Sequence, residues 1–349
     1  MRNIEFRLMK ENEANKVYKL GCRCFSVLKK PFISKPKLAL IALINGEIIA
    51  GTTLKKIKIR ENEYVGYVSH SFVKEEFRGQ GIGKELYNKA IAYLDKECAE
   101  CSEICATVLD DNKRSWKIFK NEGFNMTSSY SVLSKIGILG TIRLWKESWL
   151  FISLGHYLWW RKENEHKENS LLNMILFFAF NFILITIVSR NNFFASLGAL
   201  LVLFIQLVGG FIGILFTKGK WIFKVGQGGT PLSFLISIFK GFVPVSGNWY
   251  PTDYFDNGIK RKLGIVSCFE WITLICVMII SMYYKNTTNF NVEILEGILL
   301  TSTPLLIYKI FATFPFEVFG GERVLKFSKT LYTSLSAISF CTIFVNILN

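Results

Sequence analysis

Glu75-Glu76-Phe77-Arg78-Gly79-Gln80-Gly81-Ile82-Gly83-Lys84 is the stretch on which the reading of this chain turns. A strand-like run, Tyr64 to Val73, enters it, and a helix with Leu86, Ala90, Ile91 and Leu94 on one face leaves it. Gly79, Gly81 and Gly83 lack a Cβ, so a ligand can come close to the backbone. The N–H groups of a first helical turn have no intrahelical partner, and the helix dipole favours an anion in front of them. Such a turn suits a pyrophosphate, and it is also compatible with a plain strand-to-helix connection. It lacks the Gly-Lys-Ser/Thr ending of a P-loop, and the strands before it read as antiparallel, unlike a dinucleotide fingerprint.

Outward from the turn, the N-terminal part reads as a globular α/β unit. Ile4 to Leu8 alternates as a strand, and Glu11 to Cys24 reads as a helix. Leu38–Ile44 and Ile48–Ile59 are strands joined at Asn45-Gly46, a hairpin signal. Ile104–Leu109 is a strand, Asn112–Asn121 a helix ended by Gly123, and Phe124–Leu133 one or two closing strands. A second block, Asn112-Lys113-Arg114-Ser115-Trp116-Lys117-Ile118-Phe119-Lys120-Asn121-Glu122-Gly123-Phe124, lies at a fixed distance from the first.

Together these blocks resemble the GNAT N-acetyltransferase superfamily over residues 1–135. Arg78-Gly79-Gln80-Gly81-Ile82-Gly83 is similar to its (Arg/Gln)-x-x-Gly-x-(Gly/Ala) motif, and the second block to its Asn-x-x-Ala-x-x-x-Tyr-x-x-x-Gly-Phe helix. The resemblance implies a mixed, mostly antiparallel sheet with flanking helices and acetyl-CoA as cosubstrate. It implies that backbone N–H groups from Gly79, Gln80, Gly81, Ile82, Gly83 and Lys84, beside Arg78, hold the pyrophosphate. It further implies that Phe72 and Val73 pair with the pantetheine arm, and that Asn112 and Ser115 face the cofactor. Phe119 stands where many members carry a Tyr that protonates the leaving thiolate. A phenyl ring has no proton to give, so that role is lost or moved. For the base that frees the attacking amine, His70 titrates in a suitable range. Glu75 and Glu76 are rivals, and Tyr67 and Ser69 could relay through water.

The rest of the chain differs in kind. Of 349 residues 50% are apolar, 31 are Phe, and the net charge is +15. Basic excess alone would allow nucleic acid as a partner, but a lipid bilayer explains the apolar excess as well, and no nucleic-acid partner is expected. Five segments are long enough to span a membrane: Leu171–Ser189, Phe193–Phe216, Leu263–Tyr284, Ile294–Thr313 and Thr330–Leu348. Thr230–Tyr250 reads as a re-entrant element. Trp145–Trp160 reads as an interfacial helix within an amphipathic linker, residues 136–170, ahead of an all-α polytopic membrane domain, residues 171–349. Met1 to Glu5 opens no signal peptide, so the N-terminal domain is expected in the cytoplasm of a multi-pass cell-membrane protein. Arg161, Lys162, Lys167, Lys218, Lys220, Lys224, Lys260, Arg261, Lys262, Arg323, Lys326 and Lys329 then lie inside, and Arg190 and Lys285 outside. Glu270 can pair with Lys309. The eight cysteines read as reduced thiols.

Phe314-Pro315-Phe316-Glu317-Val318-Phe319-Gly320-Gly321-Glu322-Arg323-Val324-Leu325 and Ile205-Gln206-Leu207-Val208-Gly209 resemble segments of site-2 proteases. The His and Asp zinc ligands are replaced by Ile205, Gly209 and Gly320, and the base Glu by Gln206, so no metal is expected. Gly209, Gly210 and Gly213 would in any case allow close helix packing. The expected function is acetyl transfer from acetyl-CoA to an amine on a peptide, protein or envelope precursor at the membrane face. An acyl-CoA sensor that binds a partner is the alternative.

Overall fold

The computed structural model describes residues 4–96, 101–110, 112–163, 169–252, 258–287 and 291–348. The chain forms two compact units, one of residues 1–150 and 156–166, the other of residues 151–155 and 167–349.

The first unit is built on a seven-stranded sheet. Its strands are β1 (Glu5–Leu8), β2 (Leu38–Ile44), β3 (Glu47–Arg60), β4 (Glu63–Val73), β5 (Cys101–Leu109), β6 (Phe124–Met126) and β7 (His156–Arg161), in the order β1-β2-β3-β4-β5-β7-β6. Only β4 and β5 run parallel. The β2–β3 turn has Asn45 and Gly46 at φ 49° and 79°, the left-handed pair that a two-residue hairpin needs. Helix α1 (Ala14–Cys24) buries Val17 and Leu20 against Ala39, Ile41, Leu43 and Phe72. Helix α2 (Ile82–Lys96) buries Ile82, Leu86, Ala90, Ile91 and Leu94, the stripe its periodicity predicts. Helix α3 (Lys113–Asn121) follows β5.

Two sequence expectations change here. Phe124–Leu133 is strand only to Met126; Ser128 then caps α4 (Ser129–Glu147), its side chain accepting the Ser131 N–H at 3.1 Å. Nor do residues 136–170 form an interfacial linker. The α4 residues Val132, Ile136 and Leu144 pack with Ile57, Ile59 and Val65 of the sheet. Tyr157 to Trp160 are buried in β7, where Trp160 donates to Glu103 Oε2 at 2.6 Å. Trp159 and Trp160 are core residues, whereas Trp149 is 39% exposed, and the first unit extends past residue 135 to include them. Cys101 is disulfide-bonded, so the thiols are not all reduced.

The second unit is mainly helical. Helices α5 (Ser170–Val188), α6 (Phe193–Leu215), α8 (Ile259–Thr287) and α11 (Lys329–Leu348) contain the four segments long and apolar enough to cross a membrane. The fifth expected span is α9 (Val292–Ile310), which Glu293, Glu296 and Lys309 make too polar to qualify on composition and which is largely buried. Two short strands, β8 (Trp221–Val225) and β9 (Gly247–Pro251), pair antiparallel, so the unit is not purely α. Between them α7 (Thr230–Ile238) and a coil occupy the segment read as re-entrant. Helix α10 (Gly321–Phe327) precedes α11.

Small residues set the helix spacing in this unit. A Cβ on Gly209 would lie 2.2 Å from Thr273 Oγ1, and one on Gly213 2.8 Å from the Val266 Cα, so α6 and α8 touch through glycine. Gly198 of α6 and Gly297 of α9 would each strike a carbonyl of the facing helix. Lys309 sits 3.6 Å from Glu270, both buried, and donates to the Phe319 carbonyl at 2.9 Å, which realises the expected pair. Gln206, Asn248, Val318 and Phe319 line one cavity of about 20 Å³, bringing together the two segments that resemble protease motifs.

Candidate active site

The site begins where β4 leaves β5. Their pairing runs from Tyr64↔Cys101 to Val68↔Ala106 and stops. Beyond it, Ser71, Phe72 and Val73 remain paired with β3 on one edge, through Thr52, Gly51 and Ala50. β5 turns to β7 instead, from Cys105↔Trp160 to Leu109↔His156. The end of β4 therefore presents a row of backbone groups on its other edge, across a widening gap from β5.

A β-bulge produces this divergence. Leu54 opposes Val68 while Thr52 opposes Ser71, so β4 carries one more residue than β3 between these pairs. In a regular strand the side chains of Ser69 and His70 would point to opposite faces. Here Ser69 Oγ lies 3.0 Å from His70 Nδ1, and the His70 ring stands edge-on to Phe25 at 5.7 Å. Thr53 donates to the His70 carbonyl at 3.4 Å. The Tyr67 hydroxyl is 2.5 Å from Thr107 Oγ1 and within reach of Ser69, so a polar chain runs Thr107–Tyr67–Ser69–His70. Burial, helped by the positive charges of Lys55 and Lys29, pushes the His70 pKa down to about 4. The imidazole is thus neutral at pH 7 but a weaker base than the sequence reading expected, because its ordinary titration range near 6.5 is lost on burial.

The glycine turn closes the end of the gap. Glu75–Phe77 forms a single 3₁₀ turn, Arg78 is extended and donates from Nε to the Val73 carbonyl at 3.1 Å, and α2 starts at Ile82. Gly79 and Gly81 have φ of 83° and 81°, and a Cβ on either would meet nothing within 4 Å. The turn is left-handed at two points and open in front, a shape that lets a phosphate reach the backbone. Glu85 N–H is bonded to the Gly81 carbonyl, leaving those of Ile82, Gly83 and Lys84 in the unpaired first turn. Gly83 is helical, with Val73 Cγ2 3.7 Å from where its Cβ would be. The Ile82 side chain is buried in the core, as is that of Phe72 against Gly21 and Gly51; the Phe72 backbone, in phase with the Lys74 N–H that bonds the Ile49 carbonyl, faces β3, so on β4 it is the backbone of Val73 that faces the other edge. Gln80 and Lys84 are exposed.

On α3 the sequence expectations divide. Asn112 is the N-cap, accepting the Ser115 N–H at 3.3 Å. Ser115 is half-buried and hydrogen-bonds the hydroxyl of Tyr87, a residue that the sequence reading passed over. Tyr87 also bonds Ser71, which lies 2.5 Å from Thr52 Oγ1. Phe119 is 2% exposed, its ring 4.9 Å from Tyr87 and 5.0 Å from Phe124, and so is enclosed by aromatic neighbours.

A separate cleft of about 810 Å³ lies beside the bulge strand pair, lined by Lys35, Lys37, Lys55, Lys56, Lys146 and Trp149 among others. Thr53, bonded to His70, also lines it. Its one carboxylate, Glu147, is 3.4 Å from Lys55 Nζ, so the cleft carries a clear positive excess.

A family model described as the acetyltransferase (GNAT) family matches residues 7–124. Those residues form a GNAT acetyltransferase domain. The thialysine N-epsilon-acetyltransferase of Bos taurus is 43% identical over 58 residues, 16% of this chain and 32% of the relative. The chain thus spans about a third of the length of the curated relative it matches. Among solved structures, the NatC complex bound to Gag peptide and CoA is similar over 36% of this chain and 87% of that one, with 23% identity and a TM-score of 0.30. An acetyltransferase from Streptococcus agalactiae is similar over 46% and 99%, with 14% identity and a TM-score of 0.34. Within the GNAT domain, the turn from Arg78 to Lys84 is the part whose bare, left-handed glycines suit a pyrophosphate.

Proposed function

We propose that the chain is a membrane-anchored N-acetyltransferase, moving the acetyl group of acetyl-CoA to an amine at the cytoplasmic membrane face. One observation carries the reading: the open glycine turn stands at the mouth of the gap between β4 and β5, inside a domain that matches the GNAT model. The residues fit the cosubstrate. N–H groups from Gly79 to Lys84 bind its phosphates, and the end of β4 at Val73, whose carbonyl already accepts from Arg78, orients its amide-rich arm. His70 takes the proton that the amine loses, directly or through Ser69. The four apolar helices of the second unit hold the enzyme in the bilayer, and the basic residues between the second and third of them, Lys218, Lys220, Lys224, Lys260, Arg261 and Lys262, keep the GNAT domain on the cytoplasmic side.

The lysine-lined cleft supports an acceptor with a carboxylate or phosphate near its amine, on a peptide, a protein or an envelope precursor. A sensor of acyl-CoA that binds a partner is favoured by a single feature, the missing hydroxyl at Phe119. Release of free CoA thiol separates the two. Full-length protein in detergent, given acetyl-CoA and short peptides with acidic residues after a free N-terminus, should release thiol and acetylate the peptide. Tight acetyl-CoA binding without thiol release from any acidic or phosphorylated amine would favour the sensor.

A further inference from the structure

The reaction needs two proton movements, and the family position for one of them is empty. When the amine nitrogen bonds to the thioester carbon, the carbon–sulfur bond breaks and its electron pair stays on sulfur. That sulfur must gain a proton, while the nitrogen gives one up. Phe119 cannot supply it, being a phenyl ring that is 2% exposed and closed in by Tyr87 and Phe124.

The ring against Phe119 is itself a phenol. Tyr87 projects from α2 five residues after its start, and its hydroxyl bonds Ser71 on the unpaired end of β4 and Ser115 in the first turn of α3. It therefore bridges the strand and helix that flank the gap. Tyr67 is less well placed, since it lies where β4 and β5 are still paired, with its hydroxyl held by Thr107. Cys24 Sγ lies against the Val73 carbonyl at 3.6 Å, on the α1 side.

We propose that the Tyr87 hydroxyl is the proton donor to the departing thiolate, in the role that the residue at Phe119 cannot fill. This rests on the acetyltransferase reading above. Tyr87 passes its proton to sulfur, and the phenolate recovers one from solvent through the Ser71 and Ser115 hydroxyls. The proton lost by the amine leaves through His70 to solvent, so acid and base are separate groups and the protons balance. Burial raises the Tyr87 pKa and the two serine bonds offset part of that rise, so the phenol is protonated at pH 7.

The test uses full-length protein in detergent and the variants Tyr87→Phe and Tyr87→Phe/Phe119→Tyr. CoA itself is the probe, titrated while the ultraviolet absorbance of its thiolate is followed, which requires no knowledge of the acceptor. In the wild type, donation from Tyr87 should lower the pKa of the bound thiol relative to free CoA. Tyr87→Phe should return it to the free value while the CoA dissociation constant changes less than about threefold. Turnover of acetyl-CoA with water as a slow acceptor should fall about 10²–10⁴-fold, the usual contribution of a general acid. The double variant, which places a hydroxyl on the adjacent ring, should recover part of both signals. A bound thiol pKa that is the same in wild type and Tyr87→Phe overturns the proposal and leaves the acetyltransferase reading standing. A wild type that fails to bind CoA overturns both. If Tyr87→Phe does not fold, Ser115→Ala replaces it: loss of one bond to the hydroxyl must shift the thiol pKa measurably, and no shift refutes the assignment.

Discussion

Replacing Gly81 by Ala tests the cradle most directly, because the structure supplies its own controls. Gly81 has φ 81° and Gly46, in the β2–β3 hairpin, has φ 79°; a Cβ on either meets nothing within 4 Å. Alanine at both sites therefore incurs the same backbone strain, about 1–2 kcal/mol for an L-residue in the left-handed region, and no steric clash. Gly83 is the opposite case. It is helical, and its Cβ would make an ordinary contact with Val73 at 3.7 Å. Alanine there should stabilise the helix by up to about 1 kcal/mol. Stability alone thus groups Gly81 with Gly46.

Cofactor binding should group them differently. If N–H groups of the turn hold a pyrophosphate, Gly81→Ala shifts them out of register, and each charge-assisted bond lost costs about 1.5–3 kcal/mol. The dissociation constant for CoA should rise roughly 10- to 100-fold for one such bond. Gly46→Ala should bind as the wild type does. Calorimetric titration of the full-length protein in detergent gives the affinities, and hydrogen exchange at the amides of β4 and α2 reports local stability. Equal CoA affinity in Gly81→Ala and Gly46→Ala would refute the reasoning, since the turn would then be a connection and no more.

Three further outcomes follow from the geometry. His70 is depressed from its usual 6.5 to about 4; below pH 6.5 the unfolded chain binds a proton that the folded one refuses, so its contribution is present above 6.5 and lost as pH falls towards 4. That loss is about 2 kcal/mol between pH 7.5 and 5, and denaturant unfolding followed by tryptophan fluorescence should show a flatter pH slope in His70→Asn. Lys35→Glu and Lys37→Glu should raise KM for an acidic peptide several-fold at low salt with kcat little changed, and raised ionic strength should shrink the difference; a salt-independent KM would count against an anionic acceptor. Lys309→Met leaves Glu270 buried without its partner and should cost about 3–5 kcal/mol, whereas Glu270→Leu with Lys309→Met should recover most of it, as read from thermal stability in detergent.

The parts of this fold that could be read in the sequence are those fixed by local chemistry. Asn45-Gly46 specifies its turn by backbone conformation alone, the Leu86–Leu94 stripe specifies a buried helix face, and the glycines of 79–83 specify a left-handed, open turn. What escaped depends on partners distant in sequence. His156–Arg161 is a strand because β5 and β6 lie ready on either side of it. Its aromatic run looks the same whether it faces lipid headgroups or a core, and only the sheet decides. Ser128 could have warned of α4, as a cap residue preceding an apolar helix. Nothing comparable marks α9, where Lys309 looks like a charge that snorkels until Glu270 and the Phe319 carbonyl enclose it.

The bulge explains why the site was only half legible. No glycine or proline marks residues 69 and 70, so sequence periodicity places Ser69 and His70 on opposite faces. One extra residue in β4 undoes that count. It brings Ser69 beside His70, and it lies where β4 parts from β5. It also leaves Ser71 to meet Tyr87. A single register shift thus coincides with the parting of β4 from β5, with His70 beside Ser69 and Tyr87 beside Ser71. Removing the extra residue, by deleting Ser69, should restore the β4–β5 ladder past Val68 and part His70 from its serine. CoA affinity and turnover should then fall together, while the glycine turn itself is unaltered. If CoA still bound as in the wild type, the gap would not be the cofactor's path, whatever the turn holds.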